Sequence, residues 1–306
     1  MQRPNVQVAI LLATYNGAKF IHKFMESLCS QNFLDFCVYI RDDGSTDSTI
    51  KITAQYADQL DLRFLKTDKR LGPAVGFFHI MAQAEENHDF YLFADQDDWW
   101  YADKVERAVA ALSGRQEEIV LYCSRLEYVN EDLQHIGYSR IPKLLTIENA
   151  AVENVATGCT VAFTKRTRRE VLKPVPYGFI MHDWWLYLFC AAMGHVIYDS
   201  KSSIKYRQHS NNAIGAATSA VEDFRRRWNR FNARDGGVHL LSHQLKAFLI
   251  CYGDRLEPQH HKLLEQVLTA KNSRLGRFQL ALHSPVTRQS LIDTLILRVL
   301  FLLGRY

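Results

Sequence analysis

One apolar run without a polar face constrains the fold of this chain more than any other feature. Val6–Ala13 reads VQVAILLA, a β-branched and aliphatic stretch that polar Thr14-Tyr15-Asn16-Gly17 then breaks. A strand of that kind needs burial on both sides, which a parallel sheet covered by helices provides. Segments of the other periodicity alternate with such strands. Ala18–Gln31 carries Phe20, Ile21, Phe24 and Leu28 at helical spacing. Thr46–Asp58, with Asp47 and Ser48 as capping types near its start, and Gly72–Glu86, with Pro73 in its first turn, read as further helices. With strands over Phe36–Ile40, Leu62–Lys66 and Phe90–Ala94, strand and helix alternate four times. That predicts an α/β domain with a largely parallel sheet. Ile119–Ser124 and Cys159–Phe163 read as later strands and Asp183–Met193 as an apolar helix. Beyond residue 217 only helical patterns occur. A boundary at Asn212-Ala213-Ile214-Gly215 divides the chain into a domain over 1–215 and a helical region over 216–306.

Composition narrows the class. With 306 residues, 47% of them hydrophobic, the chain can build one sizeable core, and nothing suggests disorder or repeats. Residues 217–306 hold 14 Lys/Arg against 7 Asp/Glu, whereas residues 1–216 hold 23 against 26. The basic character is therefore C-terminal, and suits either a solvated helical face or a phosphate-rich surface. The cysteines (Cys29, Cys37, Cys123, Cys159, Cys190 and Cys251) show no metal or disulfide spacing and read as reduced, buried thiols of a cytoplasmic protein. No secretory leader is visible, and no run reaches the roughly 18 apolar residues of a spanning helix.

The polar clusters after the first, second and fourth strands carry the chemistry, because ligands of such sheets bind at the carboxyl ends of strands. Phe90–Ala94 delivers Asp95, Asp97 and Asp98 within four positions. Like charges so close repel unless a cation relieves them, and oxygen ligands suit Mg²⁺ or Mn²⁺. A solvated turn capping the next helix would explain Asp98 but not Asp95 and Asp97. Asp42-Asp43-Gly44-Ser45-Thr46-Asp47 follows the second strand; a carboxylate there can accept from a nucleobase N–H, or simply cap the next helix.

Ala13-Thr14-Tyr15-Asn16-Gly17, Asp42 to Asp47 and Asp95-Gln96-Asp97-Asp98-Trp99-Trp100 together resemble the family 2 glycosyltransferases of the GT-A fold. Met181-His182-Asp183-Trp184-Trp185-Leu186 and Tyr206-Arg207-Gln208-His209-Ser210-Asn211-Asn212 resemble the bacterial rhamnosyltransferases of surface-polysaccharide synthesis within that family. The five motifs occur in order over residues 6–215. At Trp99 the family more often has a smaller apolar residue. The resemblance implies a Rossmann-like nucleotide-sugar domain with a C-terminal helical extension. Thr14, Tyr15 and Asn16 would hold the nucleotide, Asp42 and Asp43 its base side, Asp95 the ribose or deoxyribose, and Asp97 the metal. Arg207 and His209 would approach the diphosphate, with His209 a second metal ligand. Asp183 would be the general base, and one base without a nucleophilic partner implies inversion. Without the family, Asp183 also reads as the cap of its helix. Trp184, Trp185 and Tyr187 would line an acceptor site or form core, and Asn154–Thr160 echoes the segment between donor and acceptor.

The implied partners are a nucleotide-sugar donor, dTDP-rhamnose or a UDP-sugar, and a lipid-linked glycan acceptor, with the enzyme cytoplasmic and peripheral on the inner face of the cytoplasmic membrane. Two rivals are weaker. A nucleotidyltransferase would carry a Gly-rich basic loop where Ala13–Gly17 stands, and a non-catalytic glycan-binding relative would be expected to lack Asp97 or Asp183. Arg225-Arg226-Arg227 belongs to no nucleic-acid-binding module, so no nucleic-acid partner is expected. Arg225–Arg230, beside Trp228 and Phe231, and the stripe Leu291, Ile292, Leu295, Ile296, Val299 and Leu300 suggest peripheral membrane contact or internal packing.

Overall fold

The computed structural model describes residues 6–67, 69–208 and 240–306. Strand β1 (Val8–Thr14) lies inside a seven-stranded sheet, parallel to β2 (Phe36–Asp42) on one side and β4 (Phe90–Asp95) on the other. β3 (Asp61–Phe64) extends the sheet beyond β2. On the far side β9 (Ala162–Thr164) joins β4 to β6 (Val120–Ser124), and β10 (His195–Asp199) closes the edge, giving the order β10-β6-β9-β4-β1-β2-β3. The alternation along β1 shows why the run has no polar face: Val8, Ile10 and Leu12 enter one apolar cluster, Ala9 and Leu11 the other.

Helices α1 (Ile21–Cys29) and α4 (Lys104–Leu112) cover one face of the sheet, through Phe24, Leu28, Val105 and Leu112. Helices α3 (Gly72–Gln83) and α7 (His182–Met193) contribute Phe77, Met81, Trp185 and Phe189 to the other cluster. α2 (Thr49–Ala54), α5 (Ile147–Ala150) and α6 (Lys165–Val171) are short connecting pieces.

The expected parallel order holds, with two differences. The Cys159–Phe163 segment splits into a 3-10 turn over Gly158–Thr160 and a strand that starts at Ala162 and runs antiparallel to both neighbours. A second sheet, unforeseen from sequence, orders β5 (Trp99–Trp100), β11 (Ile204–Arg207), β7 (Glu127–Val129) and β8 (His135–Tyr138). Strands of two to four residues are too short to show a period.

The described C-terminal chain is helical: α8 (Leu240–Tyr252), α9 (Pro258–Ala270), α10 (Arg274–Leu282) and α11 (Leu291–Leu303). α8 is built into the core of the sheet domain. Phe248 and Tyr252 meet the Trp185 ring with centroids 5.3 and 5.9 Å away, and the Tyr252 hydroxyl donates to the Val171 carbonyl at 2.6 Å. The boundary expected at 215 lies outside the described residues. The six cysteines form no disulfide; five are buried and Cys29 is half-buried. Among the described residues no helix is long and apolar enough to cross a membrane.

Because Phe248 is fully buried between α8 and α7, Phe248→Ala should cost about 3–5 kcal/mol, the range for deleting a buried aromatic. Urea unfolding followed by fluorescence and circular dichroism should show one coincident transition at a lower midpoint. Separate transitions for the two probes would show that the C-terminal helices fold independently.

Candidate functional site

The loop from β1 into α1 is held by side chains from its two neighbours. Four successive backbone N–H groups find acceptors there. Tyr15 donates to Gln96 Oε1 at 3.0 Å, Asn16 to Ser45 Oγ at 2.8 Å, Gly17 to Thr49 Oγ1 at 2.7 Å and Ala18 to Asp47 Oδ2 at 3.0 Å. Gln96 Nε2 returns a bond to the Tyr15 carbonyl at 2.9 Å, and Thr46 N–H donates to Asn16 Oδ1 at 2.8 Å. Asn16 takes a left-handed φ of 46°, which Asn tolerates better than most residues. A Cβ on Gly17 would lie 2.1 Å from Gln96 Oε1, so any larger residue there would displace the Gln96 amide from its two bonds to Tyr15. The Tyr15 ring, at the surface, lies under the Arg70 guanidinium at 3.9 Å.

Asp42 and Asp43 end β2 with different tasks. Asp42 accepts from the Thr14 hydroxyl at 2.8 Å, the Ser45 hydroxyl, and the Gly44 and Ser45 N–H groups at 3.1 and 2.7 Å. Four donors fill the usual acceptor capacity of a carboxylate, although the two hydroxyls can rotate away. Asp43 is buried, pairs with Arg41, and accepts from the Leu71 and Gly72 N–H groups at 2.9 and 2.7 Å. Burial alone would raise its pKa; those N–H groups and Arg41 outweigh it and hold it low. Asp43 thus anchors the N-terminus of α3, a role that its position beside Asp42 does not reveal.

At the end of β4 the three carboxylates separate. Asp95 and Asp97 are half-buried, whereas Asp98 is 1% exposed. Asp98 is therefore no solvated helix cap, contrary to expectation; Asp103 occupies the position before α4. Asp98 Oδ1 accepts from the Arg207 N–H at 3.2 Å, its Oδ2 is fully buried, and the carboxyl lies beside the Cys159 thiol. The ligand atoms of Asp95, Asp98 and Cys159 all lie within 4.8 Å of one another. Burial first, then the charges of Asp97 and Asp183, push the Asp95 carboxyl up to about 8; burial and both neighbouring aspartates raise Asp98 well above its ordinary range. Such mutual repulsion is what a divalent cation with oxygen ligands relieves, so the residues present fit one. Arg207, 3% exposed, directs its guanidinium at the backbone carbonyls of Asp97 (2.8 Å) and Glu131 and lies over the Phe20 ring at 4.7 Å. Behind the cluster, buried Lys104 donates to the Cys159 carbonyl at 2.9 Å; burial lowers its pKa to about 8.

Asp183 lies in the first turn of α7. It is 3% exposed, and accepts from the Gly158 N–H at 2.9 Å and from its neighbour's N–H, Trp184, at 2.7 Å. Burial raises its pKa to about 6, against the lowering effect of those donors. His182 stacks on Phe77 at 4.1 Å, meets Phe93 edge-on at 4.9 Å, and is held neutral by burial, with its pKa lowered to about 3. Trp185 and Tyr187 are core, fully buried; Trp184 is half-buried and donates to the Ala150 carbonyl at 2.7 Å.

Thr14, Tyr15, Asn16, Asp42, Asp95, Asp97 and Arg207 thus meet at one edge of the sheet, and Asp183 lies within electrostatic reach of Asp95. His209 lies outside the described residues. Sequence reasoning missed Gln96, Lys104 and the Gly158–Asp183 bond. Of these only Gln96 left a signal, as the polar residue inside an acidic motif.

Comparison with known proteins agrees with this geometry. Residues 9–175 match the sequence model of Glycosyl transferase family 2. The dTDP-rhamnosyl transferase RfbG of Shigella flexneri is 28% identical over 235 residues, covering 70% of this chain and 77% of that protein. The poly(ribitol-phosphate) β-N-acetylglucosaminyltransferase TarS of Staphylococcus aureus is 28% identical over 118 residues, 38% of this chain and only 20% of TarS. A crystal structure of TarS 1–349 with UDP-GlcNAc superposes with a TM-score of 0.60 over 98% of this chain and 82% of that one, at 18% identity. The mannosyltransferase PcManGT of Pyrobaculum calidifontis, with GDP-Man and Mn²⁺, gives 0.52 over 97% and 85%, at 16% identity. The structural likenesses establish the GT-A fold, and the match over residues 9–175 spans more than half of the sequence: this chain belongs to glycosyltransferase family 2.

Proposed function

We propose that this protein transfers a sugar from a nucleoside diphosphate to a hydroxyl of a growing surface glycan, such as an O-antigen intermediate or lipopolysaccharide core, with inversion at the transferred sugar. L-Rhamnose from dTDP-L-rhamnose is the favoured donor, on the likeness to RfbG. The acceptor is read as lipid-linked, which places the enzyme on the cytoplasmic face of a membrane. The observation that carries the reading is Asp183: a desolvated carboxylate with pKa about 6, within electrostatic reach of Asp95 at the end of β4.

The roles follow from the loops. Thr14, Tyr15 and Asn16 line the base, and the exposed Tyr15–Arg70 pair offers it a flat edge. Asp42 receives the base N–H once a turn hydroxyl swings aside, and Asp43 acts through the α3 terminus that it anchors. Asp95 takes the sugar ring of the nucleotide. Asp97, with Asp95 beside it and His209 from the following segment, would hold Mg²⁺ or Mn²⁺. A bound cation supplies charge stabilisation to the departing diphosphate. Arg207 positions the backbone of Asp97. Asp183 takes the proton from the acceptor hydroxyl as that oxygen attacks the anomeric carbon. Domain 1–215 would hold this machinery, and the helices of 216–306 would support it.

Four outcomes test the proposal. Asp183→Asn should leave donor binding by calorimetry nearly intact and lower kcat by on the order of 10²–10⁴; lost donor affinity with unchanged kcat would mean that Asp183 is misassigned. Only the carboxylate form accepts a proton, so kcat/KM should rise with pH through about 6 and level off above it. A profile flat between pH 5 and 7, as about one unit either side would show, contradicts Asp183 as the base. Asp97→Ala or excess EDTA should abolish transfer, with Mn²⁺ or Mg²⁺ restoring the chelated wild type; full activity in EDTA defeats the metal reading. Transfer from dTDP-β-L-rhamnose should give an α-linkage by NMR, and a retained product would exclude a single displacement.

A further inference from the structure

The apolar surface of α11 has no part in the transfer chemistry. Leu291 is 85% exposed, and Ile292, Leu295, Val299, Leu302 and Leu303 are all between 46% and 67% exposed. Their spacing puts them on one side of the helix, while Leu297, Leu300 and Phe301 are buried on the other. The neighbouring helix α10, packed against α11, exposes Leu275, Phe278 and Leu282 at intervals of three and four. Scattered exposed leucines are ordinary, but a stripe this continuous on adjoining helices marks a contact surface.

Charge selects the partner. Residues 271–306 contain Lys271, Arg274, Arg277, Arg288, Arg298 and Arg305 against one carboxylate, the buried Asp293; Arg288 pairs with Glu153 at 3.4 Å and Lys271 donates to the Tyr306 carbonyl, which leaves the other four arginines to set the charge of this face. Arg274 and Arg305 are exposed at the ends of the two helices. A two-fold dimer would press this patch against itself and bring the excess positive charge together. An anionic lipid surface offers the complement to both features, acyl chains for the stripe and phosphate for the guanidinium groups. Thirteen residues span about 20 Å of helix, short of the roughly 30 Å of a hydrocarbon core, so α11 can lie in the interface but not cross it.

We propose that α10 and α11 seat the enzyme on an anionic lipid surface, with the stripe Leu291 to Leu303 in the headgroup–acyl boundary. This deepens the reading of a lipid-linked acceptor and rests on that reading for its purpose. The test is flotation of the full chain with phosphatidylglycerol–phosphatidylethanolamine vesicles at low salt, and with phosphatidylcholine vesicles as the neutral control. The wild type should float with the anionic vesicles and not with the neutral ones. The pair Leu295→Glu and Val299→Glu should lower partitioning at least about tenfold, and Arg274→Gln or Arg305→Gln about fivefold each. Calorimetric binding of dTDP with Mn²⁺ should be unchanged in every variant. Because it reads the nucleotide site alone, its failure in the wild type would count against a dTDP-linked donor and not against lipid docking. Protein that stays in the unbound fraction overturns the proposal. So does equal flotation on phosphatidylcholine, or a concentration-dependent dimer that Leu295→Glu and Val299→Glu dissociate.

Discussion

The strand-end cleft depends on four backbone N–H groups, those of Tyr15, Asn16, Gly17 and Ala18. They lie in the loop between β1 and the N-cap of α1, Phe20, where no strand or helix ladder supplies an acceptor. Here none is capped locally: Gln96 from the loop after β4, and Ser45, Thr49 and Asp47 from the loop after β2, supply the acceptors. Only the Gly17 donor is buried, and stripping its acceptor would cost about 1–3 kcal/mol; the other three bonds lie at the surface and fix geometry more than they add stability. The three loops therefore hold one geometry together, and a shift in one strips donors in another. This turns three separate polar turns into one site before any ligand is present.

Against that order stands the electrostatic cost at the end of β4. Asp95, Asp97 and Asp98 crowd together, and Arg207 sends its guanidinium to the carbonyls of Asp97 and Glu131. Lys104 is spent behind them on Cys159 and Ser203. Both cations shape the loop more than they neutralise it, so Asp95 and Asp98 are driven toward their protonated forms. A cleft in that condition favours a cation and a polyanionic ligand arriving together over either alone.

The central strands and their covering helices were legible because a run such as VAILLA leaves burial on both faces as the only option. The polar loops were legible as a group because the topology of a parallel sheet brings its strand ends to one edge. Individual assignments inside them were less so. Asp42 and Asp43 are adjacent and chemically identical, yet one closes its own turn and the other anchors α3 twenty-nine residues away; no local pattern distinguishes them. Asp98 read as a cap because Asp before a helix usually is one, whereas the second sheet buries it through Arg207. Gly17 and Gln96 meet only across β1 and β4, a contact that sequence spacing cannot encode. The exposed side of α11 was legible as a stripe, but Leu300 faces the core and Leu302 and Leu303 take its place outside.

The basicity of Asp183 follows from burial set against hydrogen bonding. Burial at the start of α7 disfavours the carboxylate, while the N–H groups of Gly158 and Trp184 favour it. Neither wins outright, and the group settles near 6, close enough to neutrality to be both available and basic. The Gly158 donor is the adjustable part. It sits in the 3-10 turn that precedes β9, and a Cβ there would lie 2.8 Å from His182 Nε2 and 3.5 Å from Asp183 Oδ2. His182, neutral and enclosed by Phe77 and Phe93, thus fills the space that fixes how closely the turn approaches the base. Burial and the donors from Trp184, Gly158 and Asn154 set the basicity of this carboxylate, and the packing of Gly158 against His182 fixes where one of those donors stands.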